Sequence, residues 1–181
     1  MRRLFSASFA LFALASCAEP SIVPQPAPPA PAPVPTPAPS PAPRPEPAPS
    51  LGADWRDWPL AAGTWAYRQD GRGSIALFGR AGAEADLTLR CDRTRGRLYL
   101  SRAGDGFAAL EVRTSTDRVV LPVQPAGGTP PYMAVDLAPR DKVIDSMGFS
   151  RGRFLVRAAP MPDLVLPAWP EILRVAEDCR G

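Results

Sequence analysis

The sequence predicts a mainly β fold: a small antiparallel β-sandwich or barrel of about eight strands, with a short helix and a C-terminal helix packed on it. Three observations lead there. From Thr64 onward, short runs of alternating apolar and polar residues recur at intervals of about 8–12 positions. Between the runs fall Asp70-Gly71, Gly79 to Gly82, Arg93 to Gly96 and Gly104-Asp105-Gly106, where glycine supplies the positive φ of tight turns. The period then changes near the end of the chain. Trp169, Ile172, Leu173 and Ala176 stand at helical spacing, with Pro170 suited to a first helical turn.

The chain opens on Arg2 and Arg3, an apolar run from Leu4 to Ala13, and Leu14-Ala15-Ser16-Cys17. A basic start, a short apolar run and small residues before a cut site read as a secretory signal over residues 1–16. The run is too short for a permanent transmembrane helix, which needs about 20 residues. Leu14-Ala15-Ser16-Cys17 resembles the lipobox of bacterial lipoproteins. That resemblance implies lipidation of Cys17, cleavage before it, and a membrane contact made through the lipid. Ala18 in place of Asp resembles the signal that sends such proteins to the outer membrane.

Residues 17–50 form the next unit, the lipidated Cys and a Pro/Ala-rich spacer. Proline occupies every second position from Pro31 to Pro49, which fixes φ and biases each preceding residue toward extended geometry. The segment is expected to be polyproline-II-like and semi-rigid, reaching on the order of 100 Å. A ligand for a proline-recognition module is the alternative reading, but Ala-Pro repetition carries no specific flanking residues.

Residues 51–181 leave roughly 130 positions for one globular domain of ordinary size. The formal net charge of +3 falls by two once the segment holding Arg2 and Arg3 is removed. So weak a balance argues against nucleic acid as a partner. The sequence contains no histidine, which excludes a Ser-His-Asp triad, a Cys-His pair, an HExxH zinc site and a histidine general base. Of three cysteines, Cys17 is assigned to lipid. Cys91 and Cys179 remain, an even pair in an oxidising compartment that most simply forms a disulfide.

The domain begins with Asp54-Trp55-Arg56-Asp57-Trp58-Pro59. On a helical turn Trp55 and Trp58 share a face, and an exposed pair can stack on sugar rings, as of peptidoglycan. Plugging one end of a small core is the preferred alternative, because large aromatics dominate core burial. The expected strands are Thr64–Gln69, Ser74–Phe78, Ala85–Asp92, Arg97–Arg102, Ala108–Thr114, Arg118–Val123, Tyr132–Leu137 and Arg153–Arg157. In the third, Leu87, Leu89 and Cys91 alternate onto one face, so Cys91 points inward. Asp141 to Met147 is the short helix, ended by Gly148, and Pro170 to Cys179 is the terminal one. Cys179 lies on the stripe of Ile172 and Ala176, so a bridge to Cys91 clamps this helix over the sheet.

Gly148-Phe149-Ser150-Arg151-Gly152 matches the G-x-S-x-G nucleophile elbow. Its context is inverted, since an elbow needs a strand before the serine and a helix after it. With no imidazole to activate Ser150, the glycines are read as turn residues around a loop serine. Arg72-Gly73, Arg95-Gly96-Arg97 and Arg151-Gly152-Arg153 are read as arginines beside turns, solvated or paired with aspartates. Asp141 and Asp145 stand four apart, but two carboxylates make a poor calcium site. No metal or cofactor is expected.

Three stretches, Met147-Gly148-Phe149-Ser150-Arg151-Gly152-Arg153-Phe154, Leu166-Pro167-Ala168-Trp169-Pro170-Glu171 and Glu177-Asp178-Cys179-Arg180, resemble a group of uncharacterised alphaproteobacterial envelope lipoproteins. The layout of a strand cysteine, a late hairpin and a closing Cys-bearing helix is similar to secreted domains of the invasion-associated locus B type. It transfers no functional residue. Gly63-Thr64-Trp65 resembles the opening strand of small β-barrel protease inhibitors of bacteria, although here the partner cysteine sits at the extreme C-terminus. The expected function is therefore a non-catalytic binding or scaffolding domain, lipid-anchored at the outer membrane and facing the periplasm. Its expected partner is an envelope protein or peptidoglycan. The alternative is an inhibitor of a protease or lysozyme acting through a loop such as Ala126 to Pro131, and a hydrolase comes third.

Overall fold

A computed structural model describes residues 52–181. Cys17, the signal segment and the proline-rich spacer lie outside the described residues. After a 3-10 turn, Trp55–Asp57, come β1 (Thr64–Asp70), β2 (Gly73–Gly79), β3 (Leu87–Asp92), β4 (Arg97–Ala103), β5 (Ala109–Arg113) and β6 (Arg118–Pro122). They are followed by β7 (Gln124–Gly127), β8 (Tyr132–Leu137), α1 (Lys142–Gly148), β9 (Arg153–Ala158), β10 (Met161–Pro167) and α2 (Glu171–Arg180). Ten strands thus stand where about eight were expected. The two additions, β7 and β10, carry Pro125, Pro162 and Pro167 and so lack a strand's usual signature.

The strands form two antiparallel sheets, one ordered β1-β2-β3-β4-β8-β7 and the other β10-β9-β5-β6. Each sheet keeps both edges, so of the two expected architectures the molecule is sandwich-like and not a closed barrel. Both strands with internal prolines are edge strands, where a missing N–H interrupts no interior ladder. In β10 the register also shifts between Met161 and Leu164, across Pro162. The expected strand Arg118–Val123 is β6, one residue shorter, and the chain crosses between the sheets directly after it. β6 ends at Pro122 in the four-stranded sheet, Val123 N–H donates to the Ala108 carbonyl, and β7 begins at Gln124 in the other sheet.

Alternation on β2, β4, β5 and β8, with β3 and the more continuously buried β9 and β10, builds the main core. Phe78, Leu87, Leu89, Leu98 and Leu100 face Leu110, Val112, Phe154, Val156 and Leu166, all fully buried or nearly so. At roughly 1.5–3 kcal/mol per buried side chain, this apolar face is the main stabilising term. Ile172, Val175 and Ala176 of α2 join the same core, and α2 packs over β1 to β4. Trp169, expected on that stripe, instead precedes the helix and is exposed. Its place in the periodic pattern was an accident of spacing, because the helix starts only at Glu171.

The disulfide joins Cys91 and Cys179 with a Cα–Cα distance of 5.4 Å, inside the usual range. Around it, Tyr67 donates to the Asp178 carboxylate at 2.6 Å, and the Arg174 guanidinium lies 3.8 Å above the Tyr67 ring. Gly73 sits beneath this clamp with φ +145°, where a Cβ would come within 2.4 Å of the Cys91 carbonyl oxygen. Gly148 closes α1 against α2, since a Cβ there would meet Leu173 at 2.3 Å.

Candidate functional site

A groove of about 880 Å³ lies on the outer face of the six-stranded sheet. Its floor follows from register. Thr88, Ser101, Ala134 and Gln124 form one rung across β3, β4, β8 and β7, and Arg90, Tyr99 and Asp136 form the neighbouring rung. Leu121, Pro122 and Pro125, at the crossing between sheets, make one wall. Arg72 and Arg95, on two hairpin turns, stand at the end.

The charges here are held in three pairs, their members exposed or half-buried except for the buried Asp92. Arg90 reaches Asp70 at 2.8 Å, Arg72 reaches Asp92 at 3.0 Å, and Arg97 reaches Asp136 at 2.5 Å. The Arg90 guanidinium, with the Arg72 backbone N–H, holds the Asp70 carboxyl below its ordinary range. Asp92 is held down in the same way by the Arg72 guanidinium and the Arg95 backbone N–H. Both aspartates therefore stay charged into mild acid. Hydroxyls, guanidinium groups and small side chains give this floor donors and acceptors for a polar partner.

The sequence-derived candidates fall in other places. Trp55 is 8 % exposed and packs on Leu155 and Val165, on the outer side of the four-stranded sheet, with half-buried Trp58 against the same cluster. The pair therefore plugs a small second core, the preferred of the two readings. It is not an open platform for sugar rings. Trp58 Nε1 donates to the Gly52 carbonyl, and Arg153 Nη1 donates to the Trp58 carbonyl at 2.8 Å.

Ser150 is buried at the turn between α1 and β9. Its hydroxyl accepts from the Ser115 N–H at 2.9 Å and donates to the Arg153 carbonyl. The G-x-S-x-G segment is thus a clasp between two loops. Asp141 and Asp145 do not share a ligand: Asp141 caps α1 by accepting from Val143 N–H, and Asp145 pairs with Arg180 at 2.7 Å. Among the described residues no three His, Cys, Asp or Glu side chains converge as a metal site would require, and no helix is long and apolar enough to cross a membrane.

The groove itself was missed in the sequence because its residues come from hairpins far apart in the chain. The one available signal was the polar half of each alternating strand. Thr88, Arg90, Tyr99 and Ser101 stand at the positions opposite the core residues Leu87, Leu89, Leu98 and Leu100. No family model matches the chain, and no curated protein or solved structure matches it.

Proposed function

We propose that this chain is a lipoprotein anchored to the outer membrane through Cys17, with a domain that binds an envelope component, protein or peptidoglycan, without transforming it. The observation that carries the binding role is the groove, whose floor presents hydroxyls and paired charges from four strands of a disulfide-clamped sheet. A rigid sheet is suited to recognition because its side chains are already ordered before the partner arrives. The non-catalytic part of the reading draws support from Ser150, whose hydroxyl is committed to two loop backbones. It also draws on a sequence without any imidazole. The anchoring part rests on Leu14-Ala15-Ser16-Cys17 and the spacer that follows.

The test has two arms in cells producing the full chain. Cys17→Ser is expected to abolish lipid labelling and move the protein out of the membrane fraction. Unchanged fractionation, or an unmodified mature Cys17 by mass spectrometry, defeats the anchor. A photocrosslinking residue in place of Ser101 is expected to capture one discrete envelope partner, and the same residue in place of Arg80 is not. Absence of a Ser101 adduct, with capture from Arg80 alone, defeats the groove as the binding surface.

A further inference from the structure

A second concavity shares no residue with the groove and has a different chemistry. It is a pocket of about 330 Å³ lined by Trp55, Arg56, Ser115, Arg151 and Arg153. Three of the five residues are arginines and none is an acid. Arg151 and Arg153 take part in no salt bridge among the described residues. Arg153 uses one nitrogen on the neutral Trp58 carbonyl. Arg56 lies 5.3 Å from the centroid of the Trp55 ring, and its one acidic partner among the described residues is Asp54, its neighbour two positions away, at 3.3 Å with both side chains about half exposed. A pair that open to water offsets little of the guanidinium's charge.

The walls are held in place before any ligand arrives. Trp55 forms a buried backing, fixed by Leu155 and Val165. The two loops that carry the remaining residues are tied by Ser115 N–H to Ser150 Oγ at 2.9 Å, and by Arg151 N–H to Ser115 Oγ at 3.2 Å. Gly152, at φ +75°, makes the turn between Arg151 and Arg153. Ser115 Oγ accepts in this arrangement, and its own hydrogen has no acceptor among the described residues. A shared boundary at Trp55, Arg56 and Ser115 leads to a shallower recess that adds Arg113 and Arg118, both paired with Glu111, and Asp117, which accepts from Ser146 and Thr116.

We infer that this pocket binds a phosphate group, carried by a small phosphate ester or by a lipid headgroup. Every polar side chain lining it can donate into it, and the one acceptor, Ser115 Oγ, is already used by the Arg151 N–H. A carboxylate offers two coplanar oxygens and is filled by one guanidinium fork, whereas the remaining N–H groups of three guanidiniums and a hydroxyl suit a tetrahedral group with three or four oxygens.

The experiment titrates the full chain, purified in a neutral detergent, with three probes at matched ionic strength: inorganic phosphate, short-chain phosphatidylglycerol and short-chain phosphatidylcholine. Saturable binding of inorganic phosphate assigns the pocket to small phosphate esters. Binding of phosphatidylglycerol without binding of free phosphate assigns it to a headgroup. In either case Arg56→Gln with Arg151→Gln is expected to weaken binding at least about tenfold, the loss of charge-assisted contacts. Those two exposed side chains anchor nothing in the core, so the unliganded melting midpoint should stay in place. A control, Arg80→Gln with Arg140→Gln, removes the same charge elsewhere and should leave binding intact. The inference is overturned if no probe binds saturably, if phosphatidylcholine binds as well as phosphatidylglycerol, or if the control weakens binding as much as the pocket variant. Should the pocket variant melt early, Arg151→Lys serves in its place. It keeps the charge but loses the fork, so weakening by that variant supports the pocket and unaltered affinity defeats it.

Discussion

Ser150 shows how misleading a motif is when its partners are not counted. Five residues match a nucleophile elbow, yet the hydroxyl spends both its donor and its acceptor capacity on backbone groups of Arg153 and Ser115. Ser150→Ala should therefore act on stability and not on any activity. Two backbone groups lose a partner at a buried position, which costs about 1–3 kcal/mol. Urea titration of the variant checks this; an unchanged midpoint, or an esterase activity lost with the hydroxyl, contradicts the clasp. Gly73 makes a second residue-scale case. Its φ is +145°, and a Cβ there would stand only 2.4 Å from the Cys91 carbonyl oxygen, which leaves no room for a side chain. Gly73→Ala is expected to cost at least about 2 kcal/mol, from backbone strain and overpacking together. A melting midpoint equal to that of the parent would show that β2 and β3 can part there at no cost.

Hairpins carry the electrostatics of this molecule. The turn between β1 and β2 and the turn between β3 and β4 hold Asp70 against Arg90 and Asp92 against Arg72. On the second sheet, Glu111 of β5 accepts from Arg118 and from Arg113, and the Arg118 bond is the larger influence holding its carboxyl below the usual glutamate range. At Asp178 burial pulls the other way. The Ser74 hydroxyl dipole and the Tyr67 hydrogen bond outweigh it, helped by Arg93 and Arg174, and the net direction is again downward. Each of these groups binds protons less readily in the folded state than in the unfolded chain. Their stabilisation is present above the unfolded values near about 4 and is lost as pH falls through the lower folded values. The melting temperature should accordingly stay level at neutral pH and drop progressively below about pH 4. A series of melts in matched-salt buffers decides it, and a midpoint that rises on acidification would reverse the sign.

On the scale of the whole molecule, the disulfide and α2 decide how firmly the sandwich closes. Cys91 and Cys179 are separated by 88 residues, and constraining a loop of that length is worth about 4.5 kcal/mol in the chain-entropy treatment. A small domain has a total stability of only about 5–15 kcal/mol. Cys91→Ala with Cys179→Ala should cost about 2–5 kcal/mol, seen as a lowered melting midpoint. An unchanged midpoint, or free thiols in the protein purified without reductant, would refute the clamp. The clamp also bears on the groove, because β3 supplies both the disulfide on its inner face and Thr88 and Arg90 on its outer face. Loss of the bridge should loosen the floor of the groove without touching any of its side chains.

Much of the fold was legible in alternation, which depends only on a residue's neighbours. Leu87, Leu89 and Cys91 were aimed inward by period two, Ile172, Ala176 and Cys179 by helical spacing, and the bridge between them follows from both. The absence of histidine likewise needed no coordinates to exclude imidazole chemistry. Edge strands were not legible. β7 and β10 are paired by their neighbours in space, and their prolines are tolerated only because one side of each faces no ladder. Nor was either concavity, because each gathers side chains from segments that meet only when the sheets form. Arg151, Gly152 and Arg153 read in sequence as a solvated turn. Only the tertiary structure sets that turn beside Trp55, Arg56 and Ser115, where charges that water would have screened singly line one pocket. Pattern fixes which way a side chain points, whereas packing alone fixes what it points at.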